Sequence, residues 1–176
     1  STPIKSSAAS DVYKRHVKQN PLYEESGLAY LDTHYYGGIK KYQWTTVPMA
    51  LHGVIIKKDG TCVPVNIGEG TDDPVFCISD LLVHLANAQT NKKDVDFIEG
   101  EKPDVLIGSR PLDGEKKNAV KANILKLLKE KYDVEEDDFI SAEIEVVPAG
   151  AARDFGLDRS MILYYWQDDK VCVYTS

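Results

Sequence analysis

Apolar and polar positions along this chain fall into two rhythms. The stretch GLAYLDTHYY has a period of two, which sets Leu28, Tyr30, Asp32 and His34 on one face of a strand. Residues 49–58 read as a strand, Asp59-Gly60 is a favoured tight-turn dipeptide, and residues 61–67 return, which predicts a hairpin. VLIGS is a short buried strand, and AEIEVVPAG alternates from Ala142 to Val146. MILYYW and VCVYTS are two further strand-like runs on either side of QDD. The other rhythm is helical. In EKKNAVKANILKLLKEKY, Val120, Ile124, Leu127, Leu128 and Tyr132 recur at threes and fours, with lysines opposite. Ser79 is placed to cap an earlier helix, with Asp80 in its first turn and Ile78, Leu81, Leu82 and Leu85 as its apolar side.

The order is strands, helix, strand, long helix, strands. This predicts an α+β fold: a twisted, mostly antiparallel β-sheet, sandwich- or barrel-like, with two packed helices. Residues 1–17 are expected to be a flexible or expression-derived leader, with ordered structure beginning near Leu22. Residues 18–176 then form the folded domain. Residues 86–103 read as polar loop, and the EEDD run at 135–138 as a solvated connector.

Composition narrows the function. A chain of 176 residues with 43% hydrophobic and 28% charged side chains is long enough for one domain with a real core. A net charge of −7 argues against nucleic-acid binding, which needs a basic patch. The three cysteines, Cys62, Cys77 and Cys172, include no CxxC pair and predict no disulfide framework, hence a reducing, cytoplasmic setting. Cys77 and Cys172 sit in apolar runs and read as small core residues. No apolar run reaches the roughly 18 residues of a membrane span, and no secretory h-region is expected at the N-terminus.

Candidate chemistry is sparse. Asp168 and Asp169 lie inside a strand-like run, where an unpaired carboxylate would be costly to bury. Adjacent strand residues face opposite ways, so one could meet a metal while the other meets solvent. A solvated turn is the plainer alternative. His16, His34, His52 and His84 are scattered, without HxH or HxxxH spacing. His84 stands at the edge of the Leu81, Leu82 and Leu85 stripe, in reach of Asp80 one turn earlier; its plain reading is a boundary histidine. No serine lies in GxSxG, and GEG at 68–70 does not open a phosphate-binding helix. The aromatic stretch HYYGGIKKYQW suits either a stacking surface or packing.

Several longer words change the picture. NPLYEESGLAYLDTHYYGGIKKYQW, VDFIEGEKPDVLIGS, AVKANILKLLKEKY, VVPAGAARDFGLDRSMI and QDDKVCVYTS together closely resemble the aspartyl aminopeptidase / vacuolar aminopeptidase I family of zinc metallopeptidases, most of all its bacterial branch. The resemblance runs from about Lys18 to the last residue, in the family's order. It implies a two-domain hydrolase. A catalytic α/β domain holds two zinc ions, and an inserted domain pairs subunits on the way to a tetrahedral dodecamer. Such enzymes remove N-terminal residues, often acidic, from peptides. This chain corresponds to the inserted domain, with a remnant of the catalytic domain at its C-terminal end.

The resemblance also assigns residues. Asp169 matches the carboxylate that bridges the two metals, so the charge it faces would be a pair of zinc ions. The family's first ligand lies in a histidine-x-aspartate-serine-proline motif; SDVYKRHV here has His16 nearby but lacks the motif. The glutamate pair that supplies base and ligand, the later aspartate and the final histidine would fall past Ser176. Glu24-Glu25 and Glu135-Glu136 have the wrong context to replace them. His84 falls where some members place a histidine that reaches the neighbouring subunit's active site to hold substrate. LYYWQDDK stands where relatives tend to have GAYGQDDR, so bulky side chains beside the ligand would crowd a metal site and suit a packed strand.

The expectation is therefore a dimerisation and active-site-roofing domain of a dinuclear zinc aminopeptidase. With no catalytic residue of its own and one metal ligand, it would not hold zinc stably or turn over substrate alone. It would form a homodimer or higher oligomer, with sheet edges and the aromatic segment 35–44 as contact surface. The alternative is a stand-alone, diverged or engineered assembly or peptide-binding module with no catalytic role.

Overall fold

The structure, a computed structural model, describes residues 15–35 and 40–164. Its centre is a seven-stranded antiparallel sheet. In chain order the strands are β1 (Arg15–Glu25), β2 (Leu28–Tyr35), β3 (Met49–Ile56), β4 (Cys62–Ile67), β5 (Cys77–Ile78), β6 (Val105–Gly108) and β7 (Ala142–Pro148). They lie side by side as β4-β3-β7-β1-β2-β6-β5. The α+β reading and the antiparallel sheet hold. The sheet is open, yet the residue ahead of β5 bends back: Phe76 and Met49 exchange backbone hydrogen bonds of 2.8 and 2.9 Å. A separate hairpin follows, β8 (Arg153–Phe155) with β9 (Met161–Leu163).

The predicted hairpin forms as β3 and β4. Gly60 N–H donates to Lys57 O, Lys57 N–H donates to Thr61 O, and Gly60 takes φ +85°, a three-residue loop closed by a left-handed glycine. In β2 the buried face is the one opposite the aligned polar set: Ala29, Leu31 and Thr33 point inward. With Leu51, Ile55, Val65, Ile67, Ile144 and Val146 they form the core face of the sheet.

The long helix, α3 (Ala119–Tyr132), lays Ile124, Leu125, Leu128 and Tyr132 on that face; α1 and α2 are single turns, Asn87–Thr90 and Asp94–Phe97. Its own N-cap residue, Asn118, makes no side-chain cap. Glu24 of β1 does so instead: one carboxylate oxygen accepts the N–H groups of Val120 and Lys121, both at 2.9 Å. A carboxylate there satisfies donors with no partner inside the helix and meets the positive end of its dipole.

Three expectations change. Residues from Arg15 onward, ahead of Leu22, already belong to β1, and β1 is a central strand despite its polar sequence. Its irregular middle, where the register with β2 shifts between Val17 and Leu22, contains Pro21, which accounts for the lost alternation. Secondly, the stretch after Ser79 is not one helix. Ile78 is drawn into the sheet opposite Val105, and Asp80 Oδ1 accepts Leu81 N–H at 2.8 Å and Gln89 Nε2–H at 3.0 Å. These local bonds compete with helix formation, and only a 3₁₀ turn, Val83–Leu85, and α1 form. Cys77, next to Ile78, is exposed rather than a core residue, since period two turns it outward.

Thirdly, the acidic run is more than a solvated connector. Asp138 is buried and accepts Glu135 N–H at 2.9 Å, opening the 3₁₀ helix Glu136–Ser141 with a capping box. Around it Lys129 holds Asp133 and Glu135, Lys58 meets Asp137, and Lys121 meets Glu136.

Candidate functional site

Two polar constructions and one apolar one stand out. The first is a row across the outer face of the sheet. Register sets His34 opposite His16, His16 opposite Glu145, and Glu145 opposite His52. Each imidazole has a carboxylate neighbour: His34 Nδ1 lies 3.3 Å from Glu101, His16 Nε2 3.4 Å from Glu145, and His52 Nε2 2.9 Å from Glu69, the last off the hydrogen-bond line. Spacing along the chain could not show this, because strand pairing alone brings the three histidines together. Among the described residues no three His, Cys, Asp or Glu side chains are gathered as a metal ion requires. The described residues thus do not fit a dinuclear zinc centre on their own. Asp168 and Asp169 lie outside them.

The second construction is a buried polar node. Arg15 is 0% exposed. Its Nε–H donates to Thr33 Oγ1 at 2.7 Å, its Nη2–H donates to Gly100 O at 2.7 Å, and its guanidinium lies 4.6 Å from the centre of the Trp44 ring. Thr33 in turn donates its hydroxyl to Pro103 O at 3.2 Å and its N–H to Asp104 at 3.1 Å. Tyr23 OH donates to the other Asp104 oxygen at 2.7 Å. Burial lowers the Arg15 pKa, against the opposing pull of Asp104, Glu101 and Asp32. Burial also raises Asp104, and burial with the Asp104 hydrogen bond raises Tyr23. The aromatic stretch is partly explained here: Trp44 is fully buried, with Tyr35 edge-on at 5.5 Å, so it serves packing rather than a contact surface.

The apolar construction carries His84. It is exposed, and so are its neighbours Leu81, Leu82, Val83 and Leu85, with Leu82 at 71%. Solvent-facing leucines in sequence are unusual on an isolated surface and mark a contact region. The run is held at both ends: Ile78 is in the sheet, Ala86 is buried, and Asp80 closes onto Gln89. A groove of about 440 Å³ is lined by Leu81, Leu85 and Gln89 together with Phe97, Ile98 and Pro103. A second exposed apolar set is on the β8–β9 hairpin, where Phe155, Met161 and Leu163 share one face and Leu157 is at the tip. A cavity of about 580 Å³ between α3 and β3–β4 is lined by core residues such as Leu51, Ile55 and Leu128. Its charged lining is Glu130 and Lys131, which gives it no set of convergent polar groups for chemistry.

Comparison with known proteins supplies the context. The family model described as aminopeptidase I zinc metalloprotease (M18) matches residues 6–176. The probable M18 family aminopeptidase 1 of Clostridium acetobutylicum is 64% identical over 161 residues, 91% of this chain and 35% of that protein. Among solved structures, the M18 aminopeptidase of Thermotoga maritima superposes with a TM-score of 0.85 at 49% identity, covering 93% of this chain and 36% of that one. Aminopeptidase I of Clostridium acetobutylicum gives 0.83 at 61% identity, with the same coverage. The chain spans about a third of the length of the relatives it matches. With the family model covering nearly the whole chain and the fold shared with its solved members, the chain belongs to the aminopeptidase I (M18) zinc metalloprotease family.

Proposed function

We propose that this chain is the inserted dimerisation domain of a cytoplasmic dinuclear zinc aminopeptidase, and that it roofs the active site of a neighbouring subunit. The observation that carries the reading is the exposed run at 81–85: four apolar side chains surround His84 on a segment fixed at both ends. Such a surface suits burial against another protein surface better than water. His84, at its centre, would enter the neighbouring subunit's site and hold substrate, an N-terminal and often acidic residue of a peptide. Asp169 would bridge two zinc ions whose remaining ligands come from the rest of the polypeptide. When bound, the zinc pair supplies water activation and carbonyl polarisation. The chain alone, lacking those ligands, is expected to pair but not to hydrolyse.

Light scattering on the chain tests the assembly claim. A dimer unchanged over a wide dilution range, and lost in Leu82→Asp, is the expected outcome; a monomer at every concentration would refute it. In the full-length enzyme, His84→Ala is expected to raise KM for an acidic aminoacyl anilide by about ten-fold, as for lost ground-state binding. Asp169→Asn is expected to lower zinc stoichiometry in a metal titration, and full retention of both ions would remove Asp169 from the site.

A further inference from the structure

The node around Arg15 does more than fill space under β1 and β2. It fastens the stretch at 98–104, which has few apolar anchors apart from Ile98 and Val105 just beyond it. Arg15 holds Gly100 O, Thr33 holds Pro103 O and Asp104, and Tyr35 N–H holds Glu101 at 3.0 Å. That stretch then faces the segment carrying His84. Glu99 receives Lys92 at 3.1 Å and Lys102 at 2.7 Å, which ties the turn after α1 to the 98–104 stretch. Phe97, Ile98 and Pro103 line the same groove as Leu81, Leu85 and Gln89. Asp80 and Gln89 close the base of the exposed run.

From this continuity we infer that Arg15 and Thr33 are positioning residues for the His84 segment, acting through the 98–104 stretch. The two groups have complementary tasks. The planar guanidinium stacks on Trp44 and reaches two acceptors in different directions, which a lysine cannot do. The threonine hydroxyl accepts from Arg15 and donates its own hydrogen bond to Pro103 O, so it relays position from the sheet to the stretch. Gly100 completes the fit: a methyl group there would stand 3.1 Å from the Tyr35 ring, so backbone and ring are already in close contact. The importance of this device for catalysis rests on the reading of His84 above; the mechanical linkage does not.

The test is hydrogen–deuterium exchange on the 176-residue chain, comparing wild type with Thr33→Val, Thr33→Ser and Arg15→Lys. Thr33→Val keeps the shape and removes the hydroxyl. Amides at 79–90 and 97–104 are expected to exchange about ten-fold faster in Thr33→Val and Arg15→Lys, with β3, β4 and α3 changed by less than about two-fold. Thr33→Ser, which keeps the hydroxyl, is expected to restore wild-type exchange. Unchanged exchange at 79–90, or a uniform rise across the chain, would overturn the inference. In the full-length enzyme Thr33→Val is expected to raise KM about five-fold with kcat within about two-fold, a split that general loss of stability does not give. If His84→Ala leaves KM unaltered while the exchange pattern holds, the linkage stands and the role of His84 falls. If His84→Ala raises KM and the exchange pattern is absent, the reverse follows.

Discussion

The two ends of this sheet differ in what they bury and what they leave outside. On the side of the β3–β4 hairpin and α3, apolar side chains face inward and charges face out: Leu51, Ile55, Val65 and Leu128 beneath, Lys57, Lys58, Lys129 and Asp137 above. On the side of 79–104 Trp44, Ile78, Ile98 and Val105 are still buried, but polar side chains join them and an apolar run stays outside. Arg15 and Thr33 are buried, and Leu81, Leu82, Val83 and Leu85 are in solvent. The first arrangement is what a chain does to be stable by itself. The second spends buried hydrogen bonds to hold an apolar edge outward, which gains nothing until another surface covers it. One side keeps its apolar groups inside, and the other leaves an apolar run in solvent.

Four changes would break or sharpen that contrast. Leu51→Ala, in the conventional side, is expected to lower unfolding free energy by about 3 kcal/mol in urea titration, the range for a buried leucine that leaves a cavity. A loss below about 1 kcal/mol would mean this face is less tightly packed than described. Next, Glu24→Ala removes the cap lent to α3 by another strand. A loss of about 1–2 kcal/mol is expected, with helical circular dichroism falling in parallel. Leu82→Ser on the 79–104 side should alter stability of the monomer by less than about 0.5 kcal/mol while weakening self-association, since the side chain is already wet. Loss of stability without loss of association would erase the distinction between the two sides.

The smallest effect concerns pH. Lys129 and Lys57 together hold the Asp133 carboxyl down to about 2, against an ordinary value of 3.8. The folded value lies below the unfolded one, so the stabilisation is complete above 3.8 and disappears as pH falls through about 2. Asp133→Asn is therefore expected to lower the melting temperature slightly above pH 3.8, by little because the carboxyl is solvent-exposed and screened, and to make no difference once pH falls below about 2.

The conventional side was legible in the sequence and the 79–104 side was not, for one physical reason. The hairpin, α3 and β7 declare themselves through local period and turn chemistry: Asp59-Gly60, the spacing of Val120, Ile124 and Leu128, the alternation from Ala142. Their stabilising contacts agree with their local preferences. At 79–85 the same spacing of leucines suggested an apolar helix face, yet no surface among the described residues covers it, and Asp80 bonds locally instead. β1 was hidden because its partners are distant in sequence: Arg15 is explained by Thr33, Trp44 and Gly100, none of them nearby in the chain. The row of His34, His16 and His52 likewise exists only through register. His84 was reached by resemblance, and its exposure at the centre of an apolar run is what the fold adds. Of the bulky residues before Asp169, Leu163 is in β9, and Trp166 lies outside the described residues.

The sheet order has one more implication. Arg15 at the start of β1 sits directly across from Val146, near the end of β7, and the two strands run in opposite directions. The first and last strands of the sheet are therefore neighbours at its centre, and their pairing joins segments of the described fold that are far apart in the chain, an intrinsically slow kind of closure in folding.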